Sequence, residues 1–293
     1  MEEFEYLIPK NLPEALALKA RGGPGAVFVA GGTDVQVLRR AGRLHCQSLI
    51  SLRRLPELKE IAQEGDTISL GAGATLSELL ESALVRENLP ILCDALEVMG
   101  CTQMRNLATL GGNVMSAVAS GDTLPPLLCL EASCLLVSAR DRRRVPITKM
   151  FTGPRATAAR PEEILLALEV PRPAPRQCGA FIKLGRRAAL DLAVVSLAAQ
   201  ITLDRQNRTI QEVRLAAGAV GPTPLRLQGA EEVLRGAAPE PEVLARAAAA
   251  AQEECSPWDD VRASRWYRRE MIGVWLPRVV AKALARGGVE VRP

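Results

Sequence analysis

Phe28-Val29-Ala30-Gly31-Gly32-Thr33-Asp34-Val35 runs from an apolar segment through paired glycines into a second apolar stretch at 35–38. Residues 26–29 read as a short buried strand and 35–38 as the opening of a helix. Two consecutive glycines let backbone N–H groups point into one concavity and let an anion come close to the chain, as phosphate binding requires. A tight turn needs no more than the same pair, so this loop alone leaves both readings open. A second paired-glycine segment, Thr109-Leu110-Gly111-Gly112-Asn113, is followed by Ser116, Gly121 and Asp122 and then by helix-like residues 124–130, for which Asp122 is a natural N-cap. A dinucleotide carries two phosphates and separated ring systems, so two glycine-rich loops from different subdomains suit it better than one. A third stretch, Gly71-Ala72-Gly73-Ala74-Thr75-Leu76, sits between strand and helix but lacks the third glycine of a dinucleotide fingerprint. Close packing of a strand-to-helix turn is its preferred reading.

Around these loops the chain divides. Asn11, Pro13 and the pattern Leu12, Ala15, Leu16, Lys19 predict a capped helix, residues 49–52 a second short strand, and Leu55-Pro56-Glu57-Leu58 a boundary. Residues 58–172 then mix a strand at 67–70, helices over 76–86 and 90–98, and strands at 135–138 and 164–170. Arg140-Asp141-Arg142-Arg143-Arg144, between two apolar stretches, reads as a solvated hairpin tip. Pro171-Arg172-Pro173-Ala174-Pro175-Arg176 is the clearest linker, because proline stiffens the chain and removes donors. Over 177–287, strands are expected at 180–184, 193–203 and 213–220, with Asp204-Arg205-Gln206-Asn207 as a turn, and helices at 242–254 and 261–285. Strands followed by helices argue for a small sheet backed by helices, and the class is α+β. In the last helix, Arg262, Arg265, Trp266, Arg268 and Arg269 form either a docking face or a partly solvated face packed through Trp266.

With 293 residues, 48% of them hydrophobic, the chain is long enough for two or three compact units. Lys and Arg number 37 against 33 Asp and Glu, and a balance of +4 is too small at this length to argue for nucleic acid. The acidic start Met1-Glu2-Glu3-Phe4-Glu5-Tyr6 lacks the basic segment and apolar run of a secretory signal. The most apolar segment, 192–199, falls far short of the roughly 18 residues that a membrane span needs, so no membrane association is expected. Seven cysteines with no C-x-x-C pair suit reduced thiols in the cytoplasm. Cys129 and Cys134 have the first spacing of a plant-type iron–sulfur loop, but no C-x-x-C completes it. His45, the single histidine, supplies neither a zinc site nor a triad by itself. No catalytic side chain and no metal ligand is therefore assigned.

Eight stretches in order resemble the FAD subunits of molybdenum hydroxylases, of the xanthine dehydrogenase and carbon monoxide dehydrogenase type. They are A-G-G-T-D at 30–34, G-A-G-A-T-L-S-E-L at 71–79, M-R-N-L-A-T-L-G-G-N at 104–113, G-D-T-L-P-P-L-L at 121–128, T-G-P-R at 152–155, F-I-K-L-G-R-R at 181–187, A-A-G-A-V-G-P-T-P-L-R at 216–226 and D-V-R-A-S-R-W-Y-R-R at 260–269. The resemblance spans nearly the whole chain. It implies a two-subdomain FAD-binding domain of the vanillyl-alcohol oxidase or PCMH type, residues 1–57 and 58–172. A smaller α+β domain of the CO dehydrogenase flavoprotein type follows over 177–287, with FAD between them.

Carried over by motif, Phe28, Val29, Ala30, Gly31, Gly32, Thr33, Asp34 and Val35, together with Thr109, Leu110, Gly111, Gly112 and Asn113, would hold the pyrophosphate, largely through backbone N–H groups. Asp122 would bind toward the adenosine side, and Leu165 or Leu166 would touch the flavin. Lys183 would lie near the ring, where a cation at the N1 and O2 edge stabilises the negative charge of the reduced form; an exposed strand charge is its bland alternative. Residues 114–120 depart from the family's usual stretch, which leaves any role for Ser116 open. The implied function is electron transfer in the cytoplasm: electrons arrive from the [2Fe-2S] clusters of a small partner subunit, a large molybdopterin-binding subunit oxidises the substrate, and NAD or another acceptor takes the electrons. Two rivals remain. A stand-alone FAD-dependent oxidoreductase with its own small substrate is disfavoured by the shortage of acid–base candidates, and a flavin-free scaffold subunit by the intact glycine loops.

Overall fold

The computed structural model describes residues 3–174, 176–206 and 208–291. Met1 and Glu2 of the acidic start, Pro175 of the linker and Asn207 of the turn lie outside them. β1 (Glu5–Leu7) leads into α1 (Leu12–Gly22), which begins where the Asn11 side chain accepts the Glu14 N–H at 2.9 Å, with Pro13 in its first turn. Leu12, Ala15 and Leu16 recur at helical spacing and are buried. β2 (Ala26–Val29), α2 (Val35–Arg40) and β3 (Ser48–Ser51) follow, and the three strands form a parallel sheet in the order β1-β3-β2. Parallel pairing demands a crossover between β2 and β3, and that crossover carries the first paired-glycine loop.

Next come β4 (Ile61–Glu64), β5 (Thr67–Gly71) and a run of short helices: α3 (Leu76–Glu81), α4 (Ala83–Asn88), α5 (Pro90–Glu97), α6 (Thr102–Arg105), α7 (Leu110–Ser116) and α8 (Leu124–Cys129). The single helix expected over 76–86 is two, because Ser82 takes an extended ψ of 120°. β6 (Ser133–Val137), β7 (Arg142–Pro146), the small hairpin of β8 (Phe151–Gly153) and β9 (Ala156–Thr157), and β10 (Ile164–Pro171) follow. Five of these strands make an antiparallel sheet, β4-β5-β10-β6-β7. The arginine run is not all hairpin tip. Arg142–Arg144 lie in edge strand β7, where Arg143 makes a bidentate pair with Glu163 at 2.6 and 2.8 Å and Arg144 pairs with Glu169. Charged side chains on an edge strand discourage pairing with another chain.

The chain divides into two compact units, Met1–Leu84 with Cys101–Ala117 and Ala132–Pro171, and Val85–Gly100 with Val118–Glu131 and Arg172–Pro293. The second unit is built on an antiparallel sheet of β11 (Gln177–Leu184), β12 (Val195–Leu203), β13 (Ile210–Gly218) and β14 (Leu225–Arg226), in that order. Alternation along the strands turns Ala180, Leu197, Ala199, Ile201, Val213 and Leu215 into a core with α9 (Gln228–Leu234), α10 (Pro241–Glu254) and α11 (Arg265–Arg286). The opposite face meets α5 and α8: Cys129 Sγ lies 3.5 Å from the Ala198 carbonyl, and a Cβ on Gly218 would sit 3.2 Å from Pro125. Cover on both faces explains why β12 is buried along almost its whole length.

α11 starts four residues later than 261, because Ser264 accepts the Tyr267 N–H at 3.1 Å and caps it. Its buried stripe is Arg268, Ile272, Leu276, Val279, Val280, Ala283 and Leu284, whereas Trp266 is 68% exposed, so the helix does not pack through Trp266. Arg268 is fully buried; it donates to the Ala219 carbonyl at 3.3 Å and pairs with Asp260 at 2.7 Å. Among the described residues, no helix is long and apolar enough to cross a membrane. Leu276→Ala is expected to lower unfolding stability by about 2–5 kcal/mol, through lost burial and a residual cavity. Val261→Ala, at a side chain 94% exposed, should stay within about 0.5 kcal/mol. Urea unfolding midpoints of the two variants check the contrast.

Candidate functional site

The first paired-glycine loop is shaped by a close approach of two backbones. A Cβ on Gly31 would overlap the carbonyl oxygen of Leu107 and lie 3.0 Å from Ala108 Cα, so only glycine fits there. Gly32 has φ +74°, in the left-handed region, and its own Cβ position is open except for Val29 at 3.7 Å. The two glycines thus do different work: the first permits packing and the second turns the chain. From Gly31 to Val35 the five consecutive N–H groups have no hydrogen-bond acceptor among the described residues, and the segment is half-buried. A glycine loop with unspent donors is suited to receive an anion.

The second paired-glycine segment differs. Residues 110–116 are helical and Thr109 is the N-cap, so Thr109–Asn113 is the first turn of α7 rather than an open loop. Its donors from Leu110 to Asn113 are spent: Leu110 N–H on the Ala74 carbonyl at 3.1 Å, Gly111 on Ala72 at 2.8 Å, Gly112 on Thr109 Oγ1 at 3.0 Å and Asn113 on the Thr109 carbonyl at 3.0 Å. A Cβ on Gly111 would lie 2.7 Å from the Ala72 carbonyl oxygen. The N–H groups from Leu110 to Asn113, expected from the sequence to serve a pyrophosphate, are thus taken up by acceptors in the protein. Leu107 and Ala108, directly before it, are what Gly31 rests on, so the two glycine pairs are neighbours within the first unit. The third stretch packs as expected: Gly71 and Gly73 donate to Glu60 and Leu58 carbonyls, and a Cβ on Gly73 would lie 3.0 Å from the latter.

On β10 the register shifts between Leu165 and Ala167, which leaves Leu166 as the extra residue of a bulge. Leu165 is 4% exposed and Leu166 is half-buried, so of the two it is Leu166 that a ring could still touch.

Asp122 and Lys183 meet in the second unit. Lys183 Nζ lies 2.6 Å from Asp122 Oδ2 and 3.3 Å from the Val98 carbonyl, and both side chains are 6% exposed. Lys183 is thus no exposed strand charge, and Asp122 does not cap α8, whose N-cap is Thr123. Among the described residues, Asp122 Oδ1 is buried without a partner, as is the hydroxyl of Ser196, which stands opposite Lys183 in the β11–β12 register. Burial pushes the Asp122 carboxyl up to about 6, while the charge and hydrogen bond of Lys183 pull it down. Sequence reasoning missed Val98 and Ser196, whose involvement depends on long-range register. Within the first unit the unspent donors of the Gly31 loop suit phosphates, and within the second the orphaned Asp122 oxygen suits a hydroxyl or N–H donor.

Residues 2–173 match the family described as FAD binding domain in molybdopterin dehydrogenase, and residues 180–283 the CO dehydrogenase flavoprotein C-terminal domain. The chain is similar to a xanthine dehydrogenase FAD-binding subunit of Escherichia coli, 32% identical over 95% of each chain. A carbon monoxide dehydrogenase medium chain of Hydrogenophaga pseudoflava is 31% identical over 97% of this chain and 98% of its own length. Its fold matches carbon monoxide dehydrogenase from Hydrogenophaga pseudoflava, in a form lacking the Mo-pyranopterin moiety, with a TM-score of 0.94 and 32% identity over 97% of this chain and 98% of the other.

Because the folded pKa of Asp122 lies above the unfolded value near 3.9, protonation favours the folded state. That contribution is fully present below about pH 4 and is lost as pH rises through about 6. The stability of the wild type relative to Asp122→Asn should therefore fall across that window, by on the order of 2–3 kcal/mol, and be level outside it. Urea midpoints at a series of pH values test this, and parallel profiles for the two proteins would refute it.

Proposed function

Since the chain belongs to the FAD-binding medium subunits of xanthine and carbon monoxide dehydrogenase-type molybdenum hydroxylases, we propose that it carries electrons rather than activating a substrate. In this reading it takes electrons from the [2Fe-2S] clusters of a small partner subunit and passes them to NAD or another acceptor in the cytoplasm. A large molybdopterin-binding partner performs the oxidation. Bound FAD supplies a carrier able to take electrons singly and yield them as a pair.

The observation that carries the proposal is the run of five unspent N–H groups from Gly31 to Val35, set over a backbone contact that admits only glycine. These donors, with Phe28, Val29 and Ala30 leading into them, are assigned to the pyrophosphate. Leu107 and Ala108, just before Thr109–Asn113, give the loop its floor, and Leu166 offers an apolar surface to the flavin, next to buried Leu165. Lys183 keeps its ammonium fixed between Asp122 and the Val98 carbonyl, where a cation favours the charge of the reduced ring. Asp122 orients that ammonium through one oxygen and keeps the other free to accept.

The purified chain, denatured, is expected to release FAD, and Gly31→Val to release none even after incubation with excess FAD. A wild-type chain that stays colourless under the same incubation would rule the proposal out. Lys183→Ala should retain FAD with its reduction potential lowered by on the order of 30–60 mV, the equivalent of one charged hydrogen bond lost from the reduced form. Spectroelectrochemical titration of the two chains measures the shift.

A further inference from the structure

Asp34 places a carboxylate inside the loop whose backbone donors are unspent, and a negative charge there opposes any anion that approaches. Arg155 answers it: its Nη1 lies 3.0 Å from Asp34 Oδ2. This arginine ends the T-G-P-R stretch at 152–155. It sits at the turn between β8 and β9 with φ +55°, a left-handed value that side-chain-bearing residues seldom take. Its N–H donates at 3.0 Å to the carbonyl of Ala117, which is the C-cap of α7 and is itself at φ +45°. The turn is therefore pinned by its backbone to the helix that opens with Gly111 and Gly112. From there its guanidinium reaches the loop of Gly31 and Gly32.

We propose that Arg155 is a positioning residue for the pyrophosphate of FAD: it neutralises Asp34 and holds that loop so that the free N–H groups face the phosphates without an opposing charge. The inference rests on the assignment of residues 30–35 to the pyrophosphate. The side chains of Arg155 and Asp34 are 45% and 34% exposed, and an ion pair so open to water contributes little to folding. A doubly charged ligand drawn up beside Asp34 would feel an uncompensated carboxylate far more strongly, since Coulomb energy grows as water is displaced. The geometry therefore assigns the pair to binding rather than to stability.

FAD titrated into the full apo chain, followed by quenching of its fluorescence, tests this with Arg155→Ala, Arg155→Lys, Asp34→Asn and the double variant Arg155→Ala with Asp34→Asn. Arg155→Ala should raise the Kd about tenfold, the scale of one charge-assisted contact, with a gap that narrows as salt is added. Arg155→Lys should recover most of the loss, and Asp34→Asn should bind at least as tightly as wild type. The double variant should return to within about threefold of wild type, because the charge needing neutralisation is gone. A purely structural turn residue would leave the double variant as weak as Arg155→Ala, and that result overturns the proposal. Wild-type uptake with an unaffected Arg155→Ala sinks the inference alone, whereas no uptake by the wild type sinks the reading of the loop with it. Should Arg155→Ala fail to fold, Asp34→Asn decides alone: weaker FAD binding than wild type overturns the proposal.

Discussion

At Gly31 two segments of backbone meet with no room for a side chain, and the organisation of the first unit around its loops follows from that contact. Because the loop leans on Leu107 and Ala108, its own N–H groups from Gly31 to Val35 are held half-buried and unspent. The neighbouring segment takes the opposite course. It lies against Ala72 and Ala74 and donates every N–H from Leu110 to Asn113 to nearby acceptors. Two glycine pairs that look alike in the sequence thus become one loop with free donors and one closely packed helix start. A half-buried donor without an acceptor costs free energy unless water or a ligand serves it, so the unspent run is the part of the unit that folding alone does not explain.

In the second unit the governing constraint is burial on both faces of one sheet. β12 is covered by helices above and below, so the polar groups on it and beside it must find partners in a dry setting. Lys183 and Asp122 find each other at 2.6 Å, yet Asp122 Oδ1 and the Ser196 hydroxyl remain without partners among the described residues. Breaking such a pair leaves an uncompensated buried charge, while the intact pair adds little net stability. What the pair does fix is the position of an ammonium, held between Asp122 and the Val98 carbonyl. The fully buried Arg268, tied to Asp260 and to backbone carbonyls, plays the mechanical part at the start of α11.

Where sequence expectation and structure part company, the cause is longer in range than the pattern used to form the expectation. The apolar spacing over 76–86 is helical on both sides of Ser82, but nothing local announces the extended ψ that divides it. Arg142–Arg144 look like a loop by charge and are a strand by pairing, because Glu163 and Glu169 on or beside β10 supply the counter-charges. Asp122 has the composition of a cap, yet the stronger demand comes from Lys183, 61 residues away in the chain. Trp266 is the largest side chain at its end of α11, but helical phase turns Arg268 inward instead.

The sequence by itself determined the α+β class, the capped start of α1, the strands β2, β3, β5, β6 and β10 to β13 to within a few residues, and the family to which the eight ordered motifs point. These are decided by local propensity and by periods of 2 and 3.6, which neighbours in the chain carry among themselves. Tertiary structure alone decided which glycine pair keeps its donors free, which of Leu165 and Leu166 faces outward at the bulge, and that Asp122 meets Lys183 and Asp34 meets Arg155. Each of these turns on which distant segment arrives to accept a hydrogen bond or balance a charge, and a residue's own neighbours in sequence hold no record of that arrival.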